Sequence, residues 1–132
     1  NKDLKAEYFY LKGKALDYSS DSSTTVPTIK NPQLATCNKA EEYLSKASKL
    51  KPFWNEPLNA LGHVYWKKWD FENSILCYKK SIEENPNDKI ALRCLSMVIR
   101  MQDDIKAEDK PAIWKESIDL ATKAVSVDLN DP

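Results

Sequence analysis

Four side chains in this sequence could supply thiol or imidazole chemistry or form a Cys/His metal site: Cys37, Cys77, Cys94 and the single histidine, His63. The cysteines are odd in number and lack CxxC spacing, a pattern that favours neither a disulfide framework nor a zinc site. His63 has no sequence-identifiable nucleophile or acid partner, and the chain has no glycine-rich phosphate loop. The sequence therefore predicts no enzyme, no metal and no cofactor, and the cysteines are predicted to be small, buried or half-buried side chains.

A second group of side chains could bind a peptide. Aromatic, basic and amide residues recur at intervals that share one helix face in three separate segments. The predicted groove residues are Tyr10, Lys14, Asn59, His63, Trp66, Lys67, Arg93, Met97 and Arg100, with Asp17 and Lys68 nearby. Guanidinium groups bind carboxylates through paired hydrogen bonds, and tryptophan supplies apolar contact area. An extended peptide carrying acidic residues, or a nascent chain, would suit such a surface.

Helical segments must position these residues. In 55–68 the apolar residues follow the i, i+3, i+7 spacing of a helix, and a second apolar stripe runs through 71–84. The two stripes are Leu58, Leu61 and Tyr65, and Phe71, Ile75, Tyr78 and Ile82. Asn55 and Asp70 are the predicted N-caps, and Asn85 followed by Pro86 is predicted to end the second helix. Together the segments predict an antiparallel helical hairpin.

The hairpin recurs along the chain. A shift of 34 residues superposes small and apolar positions of the middle segment on those before and after it, and shifts of 49 and 43 extend the match to both ends. Gly13 and Gly62, the only glycines, then occupy equivalent places. A glycine inside a helix costs roughly 1 kcal/mol relative to alanine, so we expect each to permit close approach of the next helix, where Ser74 and Ser81 are also small.

We predict an all-α fold, a right-handed superhelical stack of three hairpins forming an α-solenoid. The first helices are expected near 3–17, 55–68 and 88–102, and the second near 32–50, 71–84 and 111–127. A single domain, 1–132, would hold repeats at about 3–54, 55–88 and 89–128, with inserts at 18–31 and 103–110. The serine-rich first insert is either a plain disordered loop or a phosphorylated or partner-binding one, after which Asn31 and Pro32 restart the helix.

The repeated residues resemble the tetratricopeptide repeat, whose signature is W-x2-L-G-x2-Y, then A-x3-F, an alanine and a proline over 34 residues. The matching positions are Leu58, Leu61, Gly62, Tyr65, Ser74, Tyr78, Ser81 and Pro86. One departure concerns the turn between the helices, where the family usually has glycine and this chain has Trp69. Trp69 must either adopt a strained left-handed backbone or belong to a remodelled turn.

A narrower resemblance, to stress-responsive transcriptional cofactors within that family, rests on YLKGKAL, AEEYLSKASKLKP, LGHVYWKKWD and CLSMVIR. It implies an all-helical adaptor of cytoplasm and nucleus that links stress signalling to coactivators and recognises nascent tubulin chains. It also implies further repeats and a C-terminal OB-fold domain beyond residue 132. The lack of an initial methionine and the ending DLNDP lead us to expect a piece of a longer protein.

Several alternatives remain beside the adaptor prediction. In the first alternative the predicted groove is only a solvated helix face. In the second the chain is an architectural spacer without a ligand, and in the third it is an enzyme whose site assembles from distant residues. Twenty basic residues balance twenty acidic ones, so nucleic-acid binding by this chain is not expected, and no apolar run is long enough for a membrane span. The carboxylate clamp of chaperone-binding relatives is not expected either, because its positions hold Tyr10, Lys14, Ala60, Ile90 and Cys94.

Overall fold

The computed structural model describes residues 1–20, 32–102 and 104–130 of the chain. Within these residues it contains six α-helices and no strand. They are α1 (Lys2–Ser20), α2 (Pro32–Leu50), α3 (Glu56–Lys67), α4 (Phe71–Glu84), α5 (Lys89–Val98) and α6 (Lys110–Leu129). Most of the first predicted insert and the predicted cap Asn31 lie outside the described residues.

The helices form three pairs, α1 with α2, α3 with α4 and α5 with α6, and the pairs stack through α2 on α3 and α4 on α5. This arrangement confirms the all-α solenoid. Two apolar cores result from the stacking. The first lies between α1, α2 and α3 and contains Cys37, Ala40, Leu44, Ala60, Leu61 and Val64. The second joins α4 to α5 and α6 and contains Phe71, Tyr78, Ala91, Leu95, Val98 and Ile99.

The two glycines mark the closest approach within their helix pairs, as predicted. A Cβ atom built on Gly62 would lie 2.6 Å from the ring of Tyr78, and one on Gly13 would lie 2.6 Å from Leu44. Ser74 Oγ donates a hydrogen bond of 2.7 Å to the carbonyl oxygen of Gly62 across the α3–α4 contact. In the first two pairs, a large residue of the second helix fills the space that a side chain at the glycine position would have taken.

The third pair has different residues at the equivalent positions. Ser96 stands at the position equivalent to Gly62, and Ala121 at that of Tyr78. Ser117 Oγ donates to the carbonyl oxygen of Ser96 at 2.8 Å, which repeats the bond that Ser74 makes to Gly62. The side chain gained on one helix is therefore balanced by a smaller one on the other, and the serine hydrogen bond is preserved.

The observed helix ends agree in part with those predicted from the sequence. Asp70 accepts a hydrogen bond from Asn73 N at 3.2 Å, which confirms it as the N-cap of α4, and Asn85 follows the last residue of that helix as predicted. Asn55 is the N-cap residue of α3, as predicted, but its side chain makes no cap bond; its amide nitrogen donates to Ser81 Oγ and Asp88 Oδ2. Asp88, which was not predicted as a cap, accepts from Ile90 N and Ala91 N at the start of α5.

Helix α5 is shorter than the 88–102 that the sequence predicted. Its last residue is Val98, and the chain then tightens into i to i+3 hydrogen bonds from Arg100 N to Met97 O and from Met101 N to Val98 O. Gln102 Nε2 adds a bond to the carbonyl oxygen of Ile99. The i to i+3 backbone bonds and the Gln102 side chain thus satisfy carbonyl oxygens that would have accepted i to i+4 bonds in a longer helix.

Trp69 keeps the left-handed backbone, with φ of 61°. Trp69 N bonds to Trp66 O at 3.0 Å and Asp70 N bonds to Tyr65 O at 2.9 Å, the pair of bonds of a Schellman helix end. The turn is therefore not remodelled. The Trp69 ring packs edge-on against Phe71, with 5.3 Å between ring centroids.

We expect Trp69→Gly to be more stable than Trp69→Ala by about 1 kcal/mol in chemical denaturation. Both substitutions remove the ring contact with Phe71, so their difference isolates the backbone conformation. Alanine retains the Cβ that disfavours positive φ, whereas glycine does not. Equal midpoints for the two variants would show that the turn holds no backbone strain.

Candidate functional site

The predicted groove residues lie on the first helices of the three pairs, α1, α3 and α5, except Arg100, which follows the end of α5. Helix α3 contacts both α1 and α5, so the three helices lie side by side. The structure does not give all nine side chains the same availability. Some are engaged in bonds within the protein, and others are exposed with no partner of opposite charge among the residues that the structure describes.

Lys67 is bound to Asp17, a residue of α1. Lys67 Nζ lies 2.8 Å from Asp17 Oδ1 and 2.6 Å from the backbone oxygen of Asp17. The Asp17 side chain is 1% exposed and that of Lys67 is 9% exposed, so both charges are almost removed from water. The positive charge of Lys67 is consequently balanced inside the protein, which the sequence did not indicate.

His63 joins the same cluster, with Nδ1 2.8 Å from Asp17 Oδ2. Burial by itself would raise the pKa of Asp17, but hydrogen bonds from His63 and Lys67 outweigh it and hold the pKa below 3.8. The His63 ring remains partly exposed and stacks on Trp66, with 5.7 Å between ring centroids and 16° between planes. Trp66 Nε1 points to Met101 Sδ at 3.2 Å.

Asn59 belongs to a polar network where α3, α4 and α5 meet. Its Nδ2 donates to Asp88 Oδ2 at 2.8 Å and its Oδ1 accepts from Ser81 Oγ. Asn55 Nδ2 donates to the same Asp88 oxygen at 2.6 Å. Because the other Asp88 oxygen caps α5, this network fixes the start of α5 against the preceding pair.

Tyr10 and Lys14 on α1 are both half-buried. The ring of Tyr10 packs on Trp54 with 4.8 Å between centroids. Burial raises the pKa of Tyr10, and the neighbouring Glu56 adds to the rise. The ammonium group of Lys14 lies 4.9 Å from the centroid of the Tyr18 ring.

Arg93, Met97 and Arg100 form the exposed third of the predicted groove. Among the described residues, no carboxylate lies within ion-pair distance of either arginine. Arg100 Nε donates to the carbonyl oxygen of Ser96 at 3.1 Å, and its guanidinium carbon lies 5.3 Å from the centroid of Trp114. These contacts orient the guanidinium group without neutralising its charge.

A cleft of about 400 Å³ adjoins Arg100, between the connection 99–109 and α6. It is lined by Arg100, Gln102, Ile105, Lys110, Ile113 and Trp114. Sequence analysis missed this cleft because part of its lining belongs to a segment treated as an insert. Trp114 was the available signal, since it is the aromatic equivalent of Phe71.

Metal and thiol chemistry find little support in the part of the chain that the structure describes. No group of three or more histidine, cysteine, aspartate or glutamate side chains there could hold a metal ion. The three cysteines are free, Cys37 buried and Cys77 and Cys94 half-buried. Burial raises the pKa of Cys77 to about 11, so its thiol stays protonated near neutral pH.

None of the helices in the described residues is long and apolar enough to cross a membrane.

Paired helices stacked in series, with one row of first helices side by side, define a helical-repeat scaffold of the protein-interaction class. The family model of the tetratricopeptide repeat matches residues 56–88, so the chain contains a repeat of this family. A solved structure, that of MamA, has a TM-score of 0.70 to this chain at 18% sequence identity, covering 98% of this chain and 61% of that one. At this identity the likeness shows the fold alone.

More specifically, the chain is similar to tetratricopeptide repeat protein 5. It is 37% identical to the Homo sapiens protein over 128 residues, which cover 96% of this chain and 26% of that protein. It is 34% identical to the Mus musculus protein over 128 residues, covering 97% of this chain and 26% of that protein. The chain therefore spans about a quarter of the length of the curated relatives it matches. The repeat family supports an interaction adaptor and not an enzyme.

Proposed function

We propose that this chain is an adaptor that binds an extended peptide along the row of first helices, with acidic and apolar residues of the peptide contacting α5 and the rings of α3. The proposal rests on the observation that one cation of the predicted groove is neutralised within the protein and two others are not. Lys67 is balanced by Asp17, whereas Arg93 and Arg100 are exposed without a carboxylate within ion-pair distance among the described residues. An acidic ligand would supply what these two arginines lack.

Met97 and the two stacked rings give the ligand an apolar surface beside the arginines. Met97 lies one helical turn from Arg93 and is partly exposed, and Trp66 and His63 present ring faces on the neighbouring helix. Flexible methionine and flat aromatic side chains suit apolar groups of varied shape. The ligand class that fits best therefore alternates acidic and apolar side chains over a few residues.

The remaining predicted groove residues support the site in this proposal. Lys67 and Asn59 hold α3 against its neighbours through the bonds described above, and Tyr10 packs on Trp54 in the connection before α3. Lys14 extends the basic surface towards α1. The proposed ligands are those that the family resemblance implies, coactivator segments or nascent tubulin chains. The proposed location is the cytoplasm or the nucleus.

The test is binding of fluorescent peptides, including amino-terminal tubulin peptides and an acidic–apolar series, measured by anisotropy. We expect Arg93→Ala and Arg100→Ala each to weaken binding about tenfold or more, and added salt to weaken it further. Lys79→Ala is the matched control, because Lys79 is an exposed cation on α4, a second helix. It should leave the affinity unchanged.

Arg100→Lys separates charge from geometry. Lysine keeps the positive charge but loses the planar group that lies over Trp114 and the bond to Ser96 O. An affinity close to that of the alanine variant would assign the effect to the oriented guanidinium. If no peptide binds in a way that depends on Arg93, Arg100 or Trp66, the adaptor proposal fails for this chain and the spacer alternative replaces it.

A further inference from the structure

The imidazole ring of His63 is bound at one nitrogen and open at the other. Nδ1 lies 2.8 Å from Asp17 Oδ2, and no hydrogen bond to Nε2 is found among the described residues. The side chain is 39% exposed, and its ring lies within 16° of parallel to that of Trp66. Because α3 contacts both α1 and α5, the open edge of the ring lies within the row of first helices and not at either end of it.

Asp17 decides which nitrogen of this ring carries the hydrogen. Burial by itself would raise the pKa of Asp17, but hydrogen bonds from His63 and Lys67 outweigh it and hold the pKa below 3.8, so the carboxylate is ionised at neutral pH. An ionised carboxylate can only accept hydrogen bonds, so the 2.8 Å contact requires the hydrogen on Nδ1. In a neutral imidazole the other nitrogen then holds a lone pair. Nε2 is therefore a hydrogen-bond acceptor.

An acceptor at this place complements the other polar side chains of the predicted groove. The cationic ones can only donate hydrogen bonds. They are Lys14, Arg93 and Arg100. Both polar atoms of the Asn59 side chain are bonded within the protein, to residues of α4 and to the residue that caps α5. The arginines thus suit the carboxylates of a ligand, whereas His63 suits a hydrogen-bond donor of the same ligand.

An extended peptide provides such a donor at every residue except proline. Its backbone N–H groups lose water when the peptide covers the groove, and each then needs a partner. The repeat offset of 34 residues relates His63 on α3 to Met97 on α5, and Trp66 to Arg100. Packed helices lie about 8–10 Å apart, a distance that about three residues of extended chain span. One N–H of a peptide bound at Arg100 therefore reaches His63.

We propose that a backbone N–H of the bound peptide donates to His63 Nε2, about three residues from the acidic side chain held on α5. Asp17 is the positioning residue that keeps this nitrogen an acceptor. The contact rests on the peptide-binding function proposed above and adds a requirement to it, a free N–H at one ligand position. Proline and N-methylated residues, which lack this hydrogen, are selected against at that position.

The first arm of the experiment examines the chain without ligand. His63 is the single histidine, so a long-range proton–nitrogen NMR spectrum reports its tautomer without overlap. Above the titration of the ring we expect the hydrogen on Nδ1. Asp17→Asn introduces an amide that can donate as well as accept, so the form with the hydrogen on Nε2 should appear. Lys68→Met, at a lysine paired with Glu41, is the control and should leave the tautomer unchanged. A parent chain with its hydrogen on Nε2 would overturn the proposal.

The second arm measures binding of an acidic–apolar peptide whose backbone nitrogens are methylated one at a time. In the parent chain and in the Lys79→Ala control, methylation at one position should weaken binding about tenfold. In His63→Phe, which keeps a flat ring beside Trp66 but has no acceptor, the same methylation should change binding by less than about twofold. Equal losses in the parent and in His63→Phe would overturn the contact, while binding that still depends on Arg100 would leave the proposed function standing. If no peptide binds, the proposed function fails and the contact fails with it, whereas the tautomer is decided separately by the first arm.

Discussion

Lys67→Met is expected to lower the free energy of unfolding by about 3–5 kcal/mol, the largest single effect we predict for a side chain of the candidate groove. The substitution preserves length and apolar volume but leaves the carboxylate of Asp17, which is 1% exposed, with His63 as its remaining close partner among the bonds described above. A buried charge that loses its lysine partner bears a desolvation cost that its remaining bonds offset only in part. Urea or thermal denaturation followed by circular dichroism measures the change.

The adjacent lysine provides the matched control. Lys68 Nζ lies 2.6 Å from Glu41 Oε2, but this pair is partly exposed, with side-chain exposures of 18% and 29%. Lys68→Met should therefore cost only about 1 kcal/mol or less. A second test is Asp17→Asn in the Lys67→Met background, which removes the buried charge and should restore about 2 kcal/mol. Equal costs at positions 67 and 68 would contradict the burial of the Lys67–Asp17 pair.

The ion pair between Lys67 and Asp17 also makes the free energy of unfolding depend on pH. Because the folded state holds the pKa of Asp17 below its ordinary value of 3.8, the carboxylate contributes stability above that pH. The contribution is lost as the pH falls below 3.8 and through the lower pKa of the folded state. In Asp17→Asn this part of the acid dependence should be absent.

Gly62→Ser is expected to destabilise the chain by about 1–3 kcal/mol, although serine has the higher helix propensity. The new Cβ would lie 2.6 Å from the ring of Tyr78, which is itself buried between α3 and α5 and has little room to move. The third pair indicates the compensation, because its equivalent positions hold Ser96 and Ala121. Combining Gly62→Ser with Tyr78→Ala should therefore cost less than the sum of the single changes, by about 1–3 kcal/mol.

Tyr78→Phe is the control for this double-mutant cycle. It removes the hydroxyl but retains the ring atoms that a Cβ at position 62 would meet, so it should give Gly62→Ser no relief. Tyr78→Ala alone should cost about 3–5 kcal/mol, because it empties a buried site. If the effects at positions 62 and 78 simply add within about 0.5 kcal/mol, the close approach of α3 and α4 does not depend on the missing glycine side chain.

Most of the scaffold could be predicted from the sequence because its signals are local. Helix periodicity, the Asp70 cap and the Asn85–Pro86 ending each act within one or two helical turns. The recurrence of Gly13 and Gly62 then indicated which helices approach closely. Asn55 shows the limit of such signals. Its type suits an N-cap, but Ser81 and Asp88 compete for its amide, and they are 26 and 33 residues away.

The candidate groove could be predicted only in outline. Its residues were assigned by helix face, and a helix face does not reveal which charges are neutralised within the protein. Lys67 appeared equivalent to Arg100 as a cation for ligands, yet one is buried against Asp17 and the other is exposed over Trp114. The cleft beside Arg100 was missed for a different reason, because part of its lining belongs to a connection that was treated as an insert.

The sequence by itself determined the repeat, the paired helices and the two positions that must lack a side chain, because spacing along one helix fixes these features. Only the tertiary structure decided that Asp17 binds His63 and Lys67, which lie 46 and 50 residues further along the chain. It also decided that Trp69 keeps a left-handed backbone, with a Schellman pair of hydrogen bonds in place of a remodelled turn. Pairing of charges depends on how separate helices are placed against each other, and no pattern within a single helix records that placement.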